Sequence, residues 1–143
     1  MNNKEKNKGG EGCVFCKIVS GALPSNKVYE DDIVLAFLDI KPVNMGHTLI
    51  IPKKHFESIH DLPEEIGSHV MKIAKKISTA LKETGADGTN ITINNGKDAG
   101  QIIFHFHIHI IPRFTGDNLP LWPVKDSKGE ELEKIARKIS IAL

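Results

Sequence analysis

Residues 105–109 read His-Phe-His-Ile-His, inside the stretch "GQIIFHFHIHIIPR" that runs from Gly100 to Arg113. Three imidazoles occupy alternate positions, and apolar side chains fill the gaps. On a strand, residues i, i+2 and i+4 point to the same face. His105, His107 and His109 are therefore expected to share one face, and Phe104, Phe106, Ile108 and Ile110 the other. The apolar face must pack on a core. The imidazole face must look onto a cleft, a metal or polar groups, because burying three unpartnered rings is costly. Two chemistries fit this arrangement. In one, alternating histidines chelate a catalytic zinc that activates water. In the other, one imidazole is a nucleophile and its neighbours orient it or bind an anionic substrate. Neutral imidazole attacks phosphorus at neutral pH and leaves again readily, which suits a two-step transfer.

The loop before the histidines, "NNGKDAGQ", favours the anionic substrate. Gly96 and Gly100 allow backbone to approach phosphate oxygens, with Asn94, Asn95 and Gln101 as donors. Alone, such a loop is most often a turn. Cys13 and Cys16, in "CVFC", have the spacing of half a zinc site. The same pair also reads as a redox motif or as ordinary packing. The residues that follow do not set up the βαβ pattern that a thioredoxin-like redox site needs. In a reducing compartment a structural disulfide is not expected.

These residues need a scaffold, and hydrophobic periodicity supplies its outline. A short helix is expected near Phe15–Ser20. Strands are expected at Lys27–Glu30 and Ile33–Leu38 around the Asp31-Asp32 turn, and in "HTLIIP", rich in β-branched residues and stopped by Pro52. The clearest helix is "DLPEEIGSHVMKIAKKISTALKET", with Asp61 and Glu64 as a capping box. Ile66, Val70, Ile73, Ile77, Ala80 and Leu81 form its apolar face, and Gly85 ends it. "TNITINN" reads as a strand, "GKDAGQ" as a loop, and "IIFHFHIHIIP" as the last strand. "FTGDNLPLWPVKDS" is a Pro-rich surface segment. "SKGEELEKIARKISIAL" is expected to be a closing amphipathic helix, with Ser127 as N-cap. The pattern is α+β, with a mainly antiparallel sheet, one long helix and a C-terminal helix. It forms a single domain over 13–143, with a C-terminal extension from about residue 115.

The 143 residues carry a formal net charge of +1, which gives no electrostatic footprint for nucleic acid. No apolar run approaches a membrane span. Residues 1–12, "MNNKEKNKGGEG", lack the apolar core of a signal peptide and are expected to be a flexible tail. The chain reads as cytoplasmic.

"HFHIHII" resembles the histidine-triad motif, in which apolar residues alternate with three histidines. "NNGKDAGQIIFHFHIHIIPR", "FLDIKPVNMGHTLIIPKKH" and "CVFCKI" are similar to blocks of that family in the same order. The resemblance covers roughly Cys13 to Phe114. It is greatest to the compact, bacterial-type branch of histidine-triad (HIT) nucleotide-binding hydrolases.

The resemblance implies a fold and a set of roles. His107, the middle histidine, would attack the α-phosphorus of an adenosine nucleotide. A nucleotidyl-histidine intermediate would follow, and water would release AMP. His109 would contact the phosphate or the departing group, and His47 would match the supporting fourth histidine. Asp39 would hold the ribose, with Ile40 and Phe15 lining the base. Asn94, Gly100 and Gln101 would lie on the phosphate side. Without the resemblance, Asp39 reads as a turn residue or helix cap. One departure concerns the leaving group: some members carry Ser after the Gln, where this chain has Ile102. The resemblance also implies a structural zinc held by Cys13, Cys16, His55 and His105, no catalytic metal, and a homodimer. The alternative from another functional class is a non-catalytic nucleotide-binding scaffold or sensor. His60 and His69 are given no role, and Trp122 is read as a packing residue.

Overall fold

A computed structural model describes residues 12–143. The expected tail thus falls, apart from Gly12, outside the described residues. The elements are α1 (Val14–Val19), β1 (Lys27–Glu30), β2 (Val34–Leu38), β3 (Thr48–Pro52), α2 (Glu64–Glu83), β4 (Gly88–Thr92), β5 (Ile108–Arg113) and α3 (Gly129–Ala142). The fold is α+β: five strands form one antiparallel sheet in the order β1-β2-β3-β5-β4. Among the described residues, no helix is long and apolar enough to cross a membrane.

The sheet separates two apolar clusters. Val34, Ala36, Ile50, Ile108 and Ile110 face α2, which contributes Val70, Ile73, Ala74 and Ile77. Leu35, Phe37, Leu49 and Ile51 face the other way and pack against Phe15 of α1. Strand alternation explains the split: in the β2–β3–β5 ladder, Ala36, Ile50 and Ile108 lie in one row, and Phe37, Leu49 and His109 in the next. Gly85, at φ 108°, follows α2 as expected of a residue that must adopt the left-handed region.

Helix α2 starts later than its sequence suggests. Its N-cap is Pro63, with no side-chain cap, and Asp61 does not form the expected capping box. The Asp61 carboxylate instead accepts from the amides of Glu57 and Ser58 in the turn before the helix. Similarly, the N-cap of α3 is Lys128 rather than Ser127, and again no side chain caps it. No side chain of α3 is buried, so within one chain this helix closes nothing.

The largest departure is the histidine strand. It was expected to span Ile102 to Pro112, but β5 begins only at Ile108. The ladder with β3 ends at the Ile50–Ile108 pair, and the ladder with β4 ends at Thr92–His109. Before Ile108 the chain leaves the sheet. The Pro52 carbonyl accepts from the His105 ring at 2.8 Å, and the Phe106 amide donates to the Phe56 carbonyl at 2.6 Å. Phe106, Ile108 and Ile110 pack toward α2 as expected, while Phe104 stays 43% exposed.

Residue His69 of α2 also contributes to the fold. Its Nε2 lies 2.7 Å from Asp31, whose carboxylate also accepts from Tyr29 and from the amides of Ile33 and Val34. Burial pushes the Asp31 carboxyl up, but these donors outweigh it and hold it well below the usual carboxylate range. A carboxylate depressed in the folded state contributes stability above its unfolded pKa and loses it as pH falls. Asp31→Asn is therefore expected to lower stability at neutral pH by about 1 kcal/mol or more. The difference from the native chain should shrink below about pH 4. Urea unfolding at neutral pH and at about pH 3 checks this.

Candidate functional site

Burial and main-chain partners fix the protonation of the histidine cluster. The His107 Nδ1–H donates to the carbonyl of His105 at 2.7 Å. Burial pushes His107 below its ordinary pKa, so the ring is neutral at physiological pH. With the proton held on Nδ1, the lone pair lies on Nε2. The ring packs edge-on against Phe15, at 5.2 Å between centroids, and lies 4.9 Å from His109.

A second pair of rings forms a directed chain. The Val43 amide donates to His47 Nδ1 at 3.1 Å. Burial lowers the pKa of His47, leaving a neutral ring whose proton must sit on Nε2. That proton points at His109 Nδ1, 2.9 Å away. His109, pushed down to about 4 by burial and then by His107 and His47, therefore carries its own proton on Nε2. Asp39 stands 3.8 Å from His47 Nε2, and its other carboxylate oxygen accepts from the Lys41 amide. Asp39, His47 and His109 lie within 4.8 Å of one another. With a proton between the two rings, this group forms a hydrogen-bonded relay.

His105 belongs to a different cluster. Its Nε2–H donates to Pro52, which turns the Nδ1 lone pair toward two sulfurs: Cys13 Sγ at 3.4 Å and Cys16 Sγ at 3.6 Å. Cys16 Sγ also lies 3.4 Å from His55 Nδ1. A tetrahedral zinc with two sulfur and two nitrogen ligands has S–N edges of about 3.6 Å, from its bond lengths. The cluster therefore already has the shape of that shell. Burial and the adjacent Cys13 push the Cys16 thiol up to about 11, so without a cation beside it this sulfur stays a neutral thiol. Cys13, Cys16, His55 and His105 fit a tetrahedral ion, with the second nitrogen of His105 fixed from outside as metal-bound imidazoles require.

The HIT domain family model matches residues 20–116. The chain belongs to the HIT family. An uncharacterized HIT-like protein of Methanocaldococcus jannaschii is 46% identical over 127 residues, covering 89% of this chain and 98% of that protein. Adenosine 5′-monophosphoramidase HNT1 of Saccharomyces cerevisiae is 39% identical over 129 residues, 89% of this chain and 80% of that one. A zinc-bound histidine triad family protein from Mycobacterium smegmatis has a TM-score of 0.74 at 40% identity, covering 92% of this chain and 98% of that one.

Within this HIT domain, the other residues singled out in the sequence fall into two groups. Phe15 and Asp39 lie with His47, His107 and His109, while Ile40 beside them is 86% exposed. Asn94 and Gly100 face each other across the preceding loop, with Asn94 Nδ2 3.5 Å from the Gly100 carbonyl. Gly100 adopts φ 85°, which a side chain rarely tolerates. Both residues border a hollow of about 640 Å³ that also includes Val43, Thr92 and Trp122. Gln101 is buried with its amide committed: Oε1 accepts from Gly96, and Nε2 donates to the carbonyls of Glu57 and Ile103. Its side chain braces the loop and presents no free donor.

Sequence reasoning named His55 but missed the segment 56–59 that follows it. His55 points to the sulfurs, the Phe56 carbonyl accepts from Phe106, and the Glu57 carbonyl accepts from Gln101. The Ile59 amide then donates to Asn95. This segment flanks the histidines where a neighbouring strand would otherwise run. Three of these contacts use main-chain atoms of the segment, which leave no sequence signature; only His55 was detectable. Val43, whose amide sets the His47 tautomer, was missed for the same reason.

Proposed function

We propose that this HIT protein is a nucleotide hydrolase or nucleotidyl transferase that acts at the α-phosphate of an adenosine nucleotide through a covalent histidine intermediate. The observation that carries this reading is the His107 ring, neutral and held by the His105 carbonyl with its lone pair on Nε2. Attack by Nε2 forms an N–P bond as the bond from phosphorus to the leaving nitrogen or oxygen breaks. The His109 Nε2–H donates a hydrogen bond to the departing nitrogen or oxygen, which takes its proton from water. In the second step water attacks phosphorus and loses its proton to solvent, the N–P bond breaks, and AMP leaves. The name of the S. cerevisiae relative points the proposal toward an adenosine phosphoramidate as substrate. Dinucleoside polyphosphates are the second substrate class.

Asp39 is assigned to the ribose hydroxyls, Phe15 and Ile40 to the base side, and Asn94, Gly100 and Gln101 to the phosphate side, the last through its bracing of the loop. Asp39→Ala is expected to weaken nucleotide binding by about 10-fold, the scale of a lost charged hydrogen bond. Calorimetric titration with AMP checks this, and unchanged affinity would return Asp39 to a turn role. Zinc, when bound, would link Cys13, Cys16, His55 and His105 through four protein ligands, a closed shell that supplies structural cross-linking. The proposal includes a homodimer, supported by the exposed apolar side chains Leu132, Ile135 and Ile139 on α3.

Steady-state release of AMP from adenosine 5′-phosphoramidate and from a diadenosine polyphosphate tests the proposal and ranks the two substrates. Nucleotide binding without release of AMP from either would favour the non-catalytic module.

A further inference from the structure

Asn44 stands between the His47–His109 relay and the chain that leaves β5. Its Nδ2 donates to the Pro112 carbonyl at 2.9 Å and to Asp117 Oδ2 at 3.1 Å. Its own carbonyl accepts from the His47 amide, and the amide of Val43, the residue before it, donates to His47 Nδ1. Val43 and Met45 are 48% and 80% exposed, so side-chain packing gives this turn little support. Asp117 is a firm anchor for it. Arg113 meets the carboxylate with both Nε and Nη2, and the amides of Phe114 and Leu119 also donate to it. Arg113 is itself held, by Asn90 and by the Leu119 carbonyl. Its guanidinium keeps the Asp117 carboxyl well below the usual carboxylate range, so the anchor stays ionised.

We propose that Asn44, anchored by Asp117 and the Pro112 carbonyl, is a positioning residue for His109: it fixes the turn whose Val43 amide commits His47 to donating to His109, and so keeps the His109 Nε2–H toward the leaving atom. The inference rests on the reading of His109 as the group that meets the leaving atom. The chemistry of the tautomers carries the consequence. If the Val43 amide moves away, the His47 proton is free to move to Nδ1. His47 Nε2 then presents a lone pair to His109, and the His109 proton moves to Nδ1 to meet it. A His109 ring in that form turns a lone pair toward the departing nitrogen or oxygen and donates no hydrogen bond to it. Closing the turn after β5 needs only Arg113 and the two amides. The bond from Asn44 joins that turn to a residue 73 positions earlier in the chain, beside the relay.

The test compares the full-length protein with Asn44→Ala and Asp117→Ala, using two substrates. Adenosine 5′-phosphoramidate has a poor leaving group that depends on the His109 hydrogen bond. The 4-nitrophenyl ester of AMP has a good one that does not. The single-turnover rate of adenylyl transfer from the phosphoramidate should fall about 10-fold, the scale of one lost hydrogen bond. The rate from the ester and the affinity for AMP should hold. Asp87→Ala is the control: Asp87 accepts from the Thr115 amide in the same loop but does not reach Asn44. It should keep the native ratio of the two rates. Ring-nitrogen NMR without substrate should show His47 and His109 both protonated on Nε2 in the native protein, and mixed tautomers in the two variants. If neither variant folds, Arg113→Lys loosens Asp117 with Asn44 in place and should show the same pattern at smaller size. A native His47 protonated on Nδ1, an equal fall on both substrates, or a native ratio in every folded variant would overturn the proposal. A native protein that releases no AMP from either substrate would instead overturn the proposed function, and the NMR comparison would still decide whether Asn44 sets the relay.

Discussion

Replacing His107 with alanine is expected to lower turnover by about 10⁴-fold or more, the range seen when a nucleophile is deleted from a covalent mechanism. No neighbouring group can take over. His109 has its Nδ1 occupied by His47 and its Nε2 protonated, and His105 has one nitrogen donating to Pro52 and the other facing the cysteines. The substitution should leave a folded protein. The lost ring contacts lie with Phe15 and His109 at the margin of the smaller apolar cluster, away from the packing of α2 on the sheet. A shift in melting temperature of a few degrees is the expected cost. Turnover assays on protein checked by circular dichroism make the comparison. Full activity in folded His107→Ala would move the chemistry to an activated water.

Removing the proposed zinc is expected to have the second largest effect, and to act on stability as well. An ion bound to the native state at a thousandfold above its dissociation constant stabilises by about 4 kcal/mol. For a chain of this size that corresponds to roughly 10–15 °C in melting temperature. Cys16→Ser should show this loss together with reduced zinc content, measured by atomic absorption and thermal melting. Cys16 is the donor to remove because its sulfur lies close to both histidine ligands. Equal zinc content and an equal melting point in the variant would remove the metal from the account.

Much of this architecture was legible in the sequence because it is written in side-chain periodicity. The α2 face of Val70, Ile73 and Ile77 and the unbroken apolar runs of β2 and β3, buried on both faces, are burial patterns, and burial leaves a pattern. The histidine segment misled for an instructive reason. Its alternation is real, but only His109 lies on a strand; His105 and His107 lie in chain that has left the sheet. The alternation of polar and apolar residues there serves two clusters at once, sulfur-facing on one side and core-facing at Phe106. Asp61 misled because an Asp three residues before a Glu can cap a helix or close the preceding turn, and here the turn amides of Glu57 and Ser58 claim it. The hydrogen bonds that choose each tautomer come from Val43, Pro52 and the His105 carbonyl. Main-chain groups are common to every residue type, so no sequence could announce them.

The central claim is that His107 becomes covalently nucleotidylated. Intact-protein mass spectrometry after rapid mixing with adenosine 5′-phosphoramidate, on the native chain and on His107→Ala, tests it most directly. The expected result is an adenylyl adduct on the native chain alone, mapped to His107 and decaying as AMP appears. AMP released equally by both proteins, with no adduct on either, would contradict it.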